Sequence, residues 1–168
     1  MNVNCLSPIA LIKGFVPKML KQQGGAQIVN ILSVAGQVGV PQRSYYSASK
    51  FALDGFGKAI QGELGHRGIR VLQCYPAYVR TNISKNALVG DNKQYGKTDS
   101  NIENGISVES AVETLLIAMF LNRSQITLGS PFFWILPRLC ACSESITDLV
   151  GYFNNKQQQK ALDESKSD

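Results

Sequence analysis

The chain has 168 residues, of which 44% are hydrophobic and 17% are charged, and this balance predicts a folded globular domain and not a disordered chain. The formal net charge is +5, but the lysines and arginines are scattered and form no basic run or nucleic-acid motif, so we expect no DNA or RNA partner. The four cysteines lack metal-ligand spacing, so we expect no metal site, and we expect their thiols to be reduced by default.

The first half of the chain predicts two helices and two strands. Apolar residues recur at helical spacing over Pro8–Gln22, although Pro17 should kink this helix. Gln27–Ser33 is a nearly continuous apolar run, typical of a parallel strand that is buried on both faces. Ser44–Leu64 is the longest predicted helix, and a glycine-containing turn ends it. Ile69–Tyr75 is the second predicted strand.

The second half begins with a polar segment, Thr81–Gly105, that is rich in Asn, Gly and Lys. It predicts a long, mobile loop of the kind that often covers a substrate. Ser107 is expected to cap a helix that runs to about Leu121. The inward face of this helix should carry its apolar residues, Val108, Ala111, Val112, Leu115 and Met119. Gln125–Leu128 is the third predicted strand.

The C-terminal part differs in character from the rest. Pro131–Pro137 is strongly apolar but too short, and too interrupted by prolines and Arg138, for a spanning helix. Either it dips into a membrane interface with Trp134 at headgroup level, or it packs over a substrate cleft or a neighbouring subunit. The final residues are mostly polar and charged, which predicts a solvated tail. We therefore divide the chain into a globular part (1–129), an apolar segment (130–153) and a polar tail (154–168).

Tyr46 and Lys50 are the strongest candidates for chemistry. Residues four apart share one face of a helix, so this spacing places an ammonium group beside a phenol. The positive charge stabilises the phenolate, which turns a tyrosine into an acid or base. Ser33, at the end of the first predicted strand, offers a hydroxyl that could polarise a substrate carbonyl. A solvated helix face would have the same Tyr-x-x-x-Lys spacing, so the flanking residues decide between the two interpretations.

These residues resemble the short-chain dehydrogenase/reductase (SDR) family, which carries Ser, then Tyr thirteen residues later, then Lys four after that. Ser33, Tyr46 and Lys50 match this spacing. The family's fourth catalytic residue is an Asn in the helix before the strand, and Asn4 is its match. The segment from Thr81 through Gly96 is similar to the member 7 (7B-type) subgroup.

A second family segment, Pro-Gly-x-x-x-Thr, follows the next strand and touches the nicotinamide in the family. Here it reads Pro76-Ala77-Tyr78-Val79-Arg80-Thr81. The resemblance therefore implies that Pro76, Val79 and Thr81 contact the cofactor. Ala77 replaces the family's Gly, so the backbone of this loop need not follow the family's.

The resemblance implies an α/β fold, an incomplete Rossmann-like doubly wound parallel sheet of about three strands with flanking helices. In the family these strands lie at one end of a seven-stranded sheet. A glycine-rich turn elsewhere in that sheet binds the pyrophosphate of NAD or NADP. Neither this turn nor the family's Asn-Asn-Ala-Gly stretch occurs in the sequence, and Gly24-Gly25 only precedes a strand. We expect the chain to be the catalytic part of the domain without its N-terminal dinucleotide-binding half.

The implied activity is NAD(P)-dependent hydride transfer between a carbonyl and an alcohol, with a lipid or steroid-like molecule as a candidate substrate. Tyr46 would be the acid or base, and Ser33 would hold the substrate oxygen. Lys50 would stabilise the Tyr46 phenolate and hydrogen-bond the nicotinamide ribose. The resemblance implies that Tyr46 and Lys50 both contact the cofactor as well. Asn4 would fix a water molecule that links Lys50 to solvent.

The resemblance also implies a partner, because the family's helices matching 8–22 and 44–64 form a dimer interface. The alternative function is a catalytically inactive fragment that acts through dimerisation or membrane association. The expected location is the endoplasmic reticulum or another intracellular membrane, or otherwise the cytoplasm. Because an uncovered edge strand is a pairing hazard, we expect the chain alone to be poorly stable or dependent on a partner.

Overall fold

The structure is a computed structural model that describes residues 1–83 and 100–143, together with residues 145–146, 148–149, 152–153 and 156. Helices and strands alternate in the predicted order. In chain order the elements are a π-helical turn (Asn2–Leu6), α1 (Ser7–Met19), β1 (Ala26–Ile31), a 3₁₀ turn (Val34–Gly36), α2 (Ser44–Leu64), a 3₁₀ turn (Gly65–Arg67), β2 (Ile69–Pro76), α3 (Ser100–Glu103), α4 (Val108–Phe120), β3 (Gln125–Leu128) and α5 (Pro131–Cys142).

The three strands form one parallel sheet in the order β1-β2-β3, as predicted for this fold class. Ala26 of β1 pairs with Ile69, and the register continues to Ile31 and Cys74. The shorter β3 pairs only with the carboxyl half of β2, from Gln73 to Pro76. The central strand β2 is almost wholly buried, whereas Ile31 at the end of β1 is 51% exposed.

Helices cover both faces of the sheet, which explains why the strands are apolar on both sides. On one face, α1 and α2 pack against β1 and β2 through two clusters of buried side chains. These clusters contain Ile12, Ile28, Ile60, Ile69 and Val71, and Leu32, Val34, Leu53 and Tyr75. On the other face, Ala111 of α4 packs with Cys74 and Leu128.

Several boundaries differ from the sequence prediction. Helix α1 runs through Pro17 without a break and ends at Met19, before the predicted Gln22. Strand β1 ends at Ile31 and not at Ser33, because the Ser33 side chain caps the following 3₁₀ turn. Helix α2 has the predicted bounds, and Gly68 after it adopts φ 83°, the left-handed conformation that a glycine accepts at a helix end.

The prediction of a long loop over 81–105 is wrong at its C-terminal end, because Ser100–Glu103 is a short helix. Residues 84–99 of that loop lie outside the described residues. Two of the five apolar side chains assigned to the inward face of α4, Val108 and Val112, are exposed. Helix α4 instead approaches the sheet through the small residues Ala111 and Ala118, which leaves the flanks of the helix uncovered.

In the apolar C-terminal segment, helix α5 continues past Pro137. One side of α5 is buried through Leu136 and Pro137, and Phe133 packs edge-to-face on Tyr78 with ring centroids 5.7 Å apart. The other side exposes apolar side chains, Phe132, Trp134, Ile135 and Leu139. No helix among the described residues is long and apolar enough to cross a membrane. The predicted polar tail, apart from residue 156, lies outside the described residues.

Candidate functional site

The predicted acid/base pair lies in the first two turns of α2. Because the helix begins at Ser44, Tyr46 is in its first turn and Lys50 is one turn further on the same face. The Lys50 Nζ lies 5.8 Å from the centre of the Tyr46 ring. Tyr46 is 36% exposed, so its ring is accessible to a ligand. The pair therefore has the neighbouring arrangement that the spacing predicted.

Lys50 is also bound to the end of β1. Its Nζ donates a hydrogen bond of 2.9 Å to the carbonyl oxygen of Ile31. An ammonium group has three donors, so two remain for other ligands. Burial lowers the pKa of Lys50 below its ordinary value. Gly36 permits the close packing of this region, because a Cβ at that position would lie 3.0 Å from the Lys50 Cβ.

Ser33 follows β1 directly and begins the 3₁₀ turn. Its Oγ accepts a hydrogen bond of 3.2 Å from the backbone N–H of Ala35. Because the oxygen acts as acceptor in this bond, the hydroxyl hydrogen is left to donate to a ligand. The structure thus places the Ser33 hydroxyl two residues beyond the carbonyl that Lys50 binds.

Asn4 has a looser connection with the other three residues. It is half-buried in the π-helical turn Asn2–Leu6, and this turn packs against α2. Among the hydrogen bonds between described residues, none joins the Asn4 side chain to Lys50. A link between these two residues would need a bridging water.

The segment from Pro76 to Thr81 leaves the carboxyl end of β2 and is tied to the start of α4. Val79 forms a parallel bridge with Ile106, and the N–H of Arg80 donates to the Ile106 carbonyl at 2.9 Å. The φ angle of Ala77 is not positive, so an alanine takes the place of the family's Gly without backbone strain. The Thr81 hydroxyl oxygen accepts from the N–H of Ile83 at 3.4 Å.

Tyr46, Lys50 and Ser33 lie near the carboxyl ends of the strands. The carboxyl ends of β1 and β2 lie at one edge of the parallel sheet, where such folds bind their ligands. Lys50 retains donors, Ser33 retains its hydroxyl hydrogen, and Tyr46 is accessible. Gly24 and Gly25 do not form a phosphate-binding turn. They have φ values of 91° and 83° in a tight turn before β1, where a Cβ on Gly25 would collide with the carbonyl oxygen of Gly68.

A buried polar network beneath the site was not predicted. The Asp54 carboxylate, one turn after Lys50 on α2, accepts hydrogen bonds from the Tyr75 hydroxyl at 2.7 Å and from Gln73 Nε2 at 3.0 Å. Gln73 Oε1 in turn accepts from Asn30 Nδ2 at 2.7 Å. A signal was present in the sequence, because Asn30 and Gln73 are polar residues within largely apolar strands. The network ties α2, which carries Tyr46 and Lys50, to both strands.

The profile of the short chain dehydrogenase family matches residues 1–91. A dehydrogenase/reductase SDR family member 7B from Xenopus tropicalis is 38% identical over 129 residues, which are 77% of this chain and 41% of that protein. The protein of the same name from Bos taurus is 30% identical over 167 residues, which are 99% of this chain and 49% of that protein. The chain therefore spans less than half the length of these relatives.

A solved structure has the same fold. It is a short-chain dehydrogenase from Burkholderia cenocepacia in complex with NADP, with 26% sequence identity and a TM-score of 0.64, and the match covers 83% of this chain and 52% of that chain. The matching profile, these relatives and the solved structure agree on the family. The chain belongs to the short-chain dehydrogenase/reductase family and is similar to its 7B-type subgroup.

Proposed function

We propose that this chain carries the catalytic part of an NAD(P)-dependent oxidoreductase that interconverts a carbonyl and an alcohol. The observation that carries the proposal is the position of the Lys50 ammonium. Lys50 binds the Ile31 carbonyl at the end of β1 and lies beside the Tyr46 ring, while Ser33 follows the same strand end. A cation, a phenol and a hydroxyl at the carboxyl edge of a parallel sheet form a site suited to proton transfer at a substrate oxygen.

The bound nicotinamide supplies the hydride chemistry. Within the chain, the Tyr46 hydroxyl gives a proton to the substrate oxygen during carbonyl reduction, or takes it from the alcohol during oxidation. Ser33 donates its hydroxyl hydrogen to the same oxygen and stabilises the charge that develops there. The positive charge of Lys50, which lies beside the Tyr46 ring, would attract the negative charge that develops on the phenol oxygen. Lys50 is half-buried, so water screens part of this attraction.

The remaining donors of Lys50 would hold the nicotinamide ribose, and Pro76, Val79 and Thr81 would contact the nicotinamide carboxamide. Asn4 would fix a water that connects Lys50 with solvent. Support for the cofactor comes from the NADP-bound structure with the same fold. The substrate that we propose is an apolar carbonyl or alcohol, such as a lipid or a steroid-like molecule, because apolar side chains of α5 lie exposed.

Calorimetric titration of the purified chain with NADPH and with NADH tests whether the chain acts by itself. Saturable binding of either dinucleotide supports an autonomous enzyme and identifies the preferred cofactor. A chain that is folded by circular dichroism but binds neither dinucleotide is not an enzyme by itself. It would then need a dinucleotide-binding half from another polypeptide.

The role of Tyr46 is tested in a chimaera that joins the amino-terminal half of the Xenopus tropicalis relative to this chain. Its turnover is measured with aliphatic aldehydes, aliphatic ketones and steroid ketones. Tyr46→Phe should abolish turnover, because it removes the proton donor, and should change dinucleotide affinity far less than turnover. The matched control is Tyr45→Phe, which changes a neighbouring tyrosine that is 86% exposed. Turnover that survives Tyr46→Phe would show that another group transfers the proton.

The second candidate function is an inactive protein that acts through dimerisation or membrane association. Exposed apolar residues on α1 and α2, Leu11, Phe15 and Phe51, favour this candidate. Burying such side chains would contribute roughly 1.5–3 kcal/mol each. Analytical ultracentrifugation should show a dimer that Phe15→Glu disrupts. If the chain is a monomer at all concentrations and still binds a dinucleotide, dimerisation is contradicted and the oxidoreductase proposal is favoured.

A further inference from the structure

A cavity of about 250 Å³ lies between the 3₁₀ turn after β1, the strand β3 and the helix α5. Its lining is mainly polar and cationic and includes Arg123, Arg138, Gln37, Ser124, Thr127 and Trp134. None of the described residues that line it is acidic, and none is among the residues proposed above for proton transfer or for contact with the nicotinamide. The proposed oxidoreductase activity therefore does not account for this cavity.

Arg138 is held in place at the cavity wall. The centre of its guanidinium group lies 4.2 Å from the centre of the Trp134 ring, and one Nη1 hydrogen bonds to the Trp134 carbonyl. A guanidinium group has five N–H donors, so the others remain for a ligand. Because the group is already oriented, little side-chain freedom is lost when a ligand binds.

Arg123 approaches from the opposite element, the turn after α4. Its backbone N–H donates to the Ala118 carbonyl at 2.9 Å, and the preceding Asn122 adopts φ 52°, so the turn has a defined shape. The ion pair found among the described residues joins Lys58 and Asp54 and involves neither arginine of the cavity. The two guanidinium groups are therefore not neutralised by a carboxylate of the described part of the chain.

We propose that this cavity binds a small oxyanion, a phosphate or carboxylate group, between Arg123 and Arg138. Guanidinium groups bind both kinds of oxyanion through paired N–H donors, and Ser124 and Thr127 add polar groups to the same wall. The cavity volume of about 250 Å³ leaves room for a phosphate group or a small carboxylic acid. The oxyanion is either free in solution or the headgroup phosphate of a lipid, since the outer face of α5 beside the cavity is apolar.

Trp134 makes the test direct, because the chain contains one tryptophan and it lines the cavity. Its fluorescence is measured while the full chain is titrated with inorganic phosphate, or with acetate, at constant ionic strength. A parallel titration uses phosphatidylcholine vesicles with and without phosphatidic acid. The variant is Arg123→Gln, and the matched control is Arg67→Gln, an exposed arginine in the turn before β2. Circular dichroism checks that both variants keep the fold.

A saturable change of Trp134 emission is expected, with an affinity at least about tenfold weaker in Arg123→Gln and unaltered in Arg67→Gln. Saturation by phosphate or acetate identifies a soluble oxyanion. Saturation only by vesicles that contain phosphatidic acid identifies a lipid headgroup. A response to none of these ligands, or a response that Arg123→Gln leaves unchanged, overturns the proposal.

Discussion

Replacing Asp54 by alanine should destabilise the protein strongly, because its carboxylate is buried and accepts three side-chain hydrogen bonds. Tyr75 donates at 2.7 Å, Gln73 at 3.0 Å and Lys58 at 2.7 Å. Tyr75 is 1% exposed, so its hydroxyl cannot turn to bulk water when the carboxylate is removed. Gln73 keeps a second acceptor, the backbone oxygen of residue 54, at 2.9 Å.

The expected loss in the free energy of unfolding is about 3 kcal/mol. Leaving the buried Tyr75 donor without its acceptor costs roughly 1–3 kcal/mol, and the weakened Gln73 contact costs about 1 kcal/mol. Lys58 contributes little, because its side chain is 57% exposed and exposed ion pairs stabilise by about 0–1 kcal/mol. Lys58→Ala is therefore the control and should cost less than about 1 kcal/mol.

Urea unfolding followed by far-ultraviolet circular dichroism measures these energies. The double variant Asp54→Ala/Tyr75→Phe removes both donor and acceptor, so it should lose about 1–2 kcal/mol less than the sum of the single variants. A loss below about 1 kcal/mol for Asp54→Ala, or strict additivity in the double variant, would refute the buried network as a source of stability.

The same network predicts a dependence on pH. Burial, reinforced by the hydrogen bond to Asp54, raises the pKa of Tyr75 above its ordinary value of 10.0. Above that pH the unfolded chain releases the phenolic proton, while the folded chain retains it. The unfolded state then binds fewer protons, so stability should fall as the pH rises through about 10. The fall should be shallower in Tyr75→Phe, and equal slopes in the two proteins would contradict this assignment.

Further predictions concern the packing of α2, the charge of Lys50 and the outer face of α5. Gly57→Ala should destabilise by about 2 kcal/mol, since the added Cβ would lie 2.6 Å from the Gln73 amide, whereas Gly62→Ala has open space and should stabilise by about 0.5–1 kcal/mol. Urea unfolding measures the stability of the two variants. A loss of stability in both would contradict the predicted difference between Gly57 and Gly62. Lys50→Met should abolish turnover of the chimaera and change its melting temperature little, because the lost hydrogen bond to the Ile31 carbonyl is offset by no longer burying a charge whose pKa burial lowers. A variant that melts earlier would show that Lys50 mainly stabilises the fold. If α5 docks on membranes, the chain should float with liposomes, and a double alanine variant at Phe132 and Trp134, whose side chains are both exposed, should float less. Equal flotation of the two proteins would show that Phe132 and Trp134 do not form the membrane contact.

Local pattern determined much of the fold. The limits of α2 and β3 follow from where helical or strand periodicity starts and stops, and both agree with the structure. Ser107 caps α4 as expected, because its side chain accepts from the N–H of Ser110. These features depend on residues within one or two turns of each other, so the sequence contains the information that they require. The spacing of Tyr46 and Lys50 on one helix face is of the same kind.

Tertiary packing decided the rest. The sequence showed that Lys50 lies near Tyr46, but only the contact between α2 and β1 showed that its ammonium binds the Ile31 carbonyl. The Asp54 network and the cavity between Arg123 and Arg138 each join segments that are far apart in the chain. No local pattern encodes which distant polar groups meet. Val108 and Val112 face solvent for a related reason, because helical periodicity identifies an apolar stripe but not whether another element covers it.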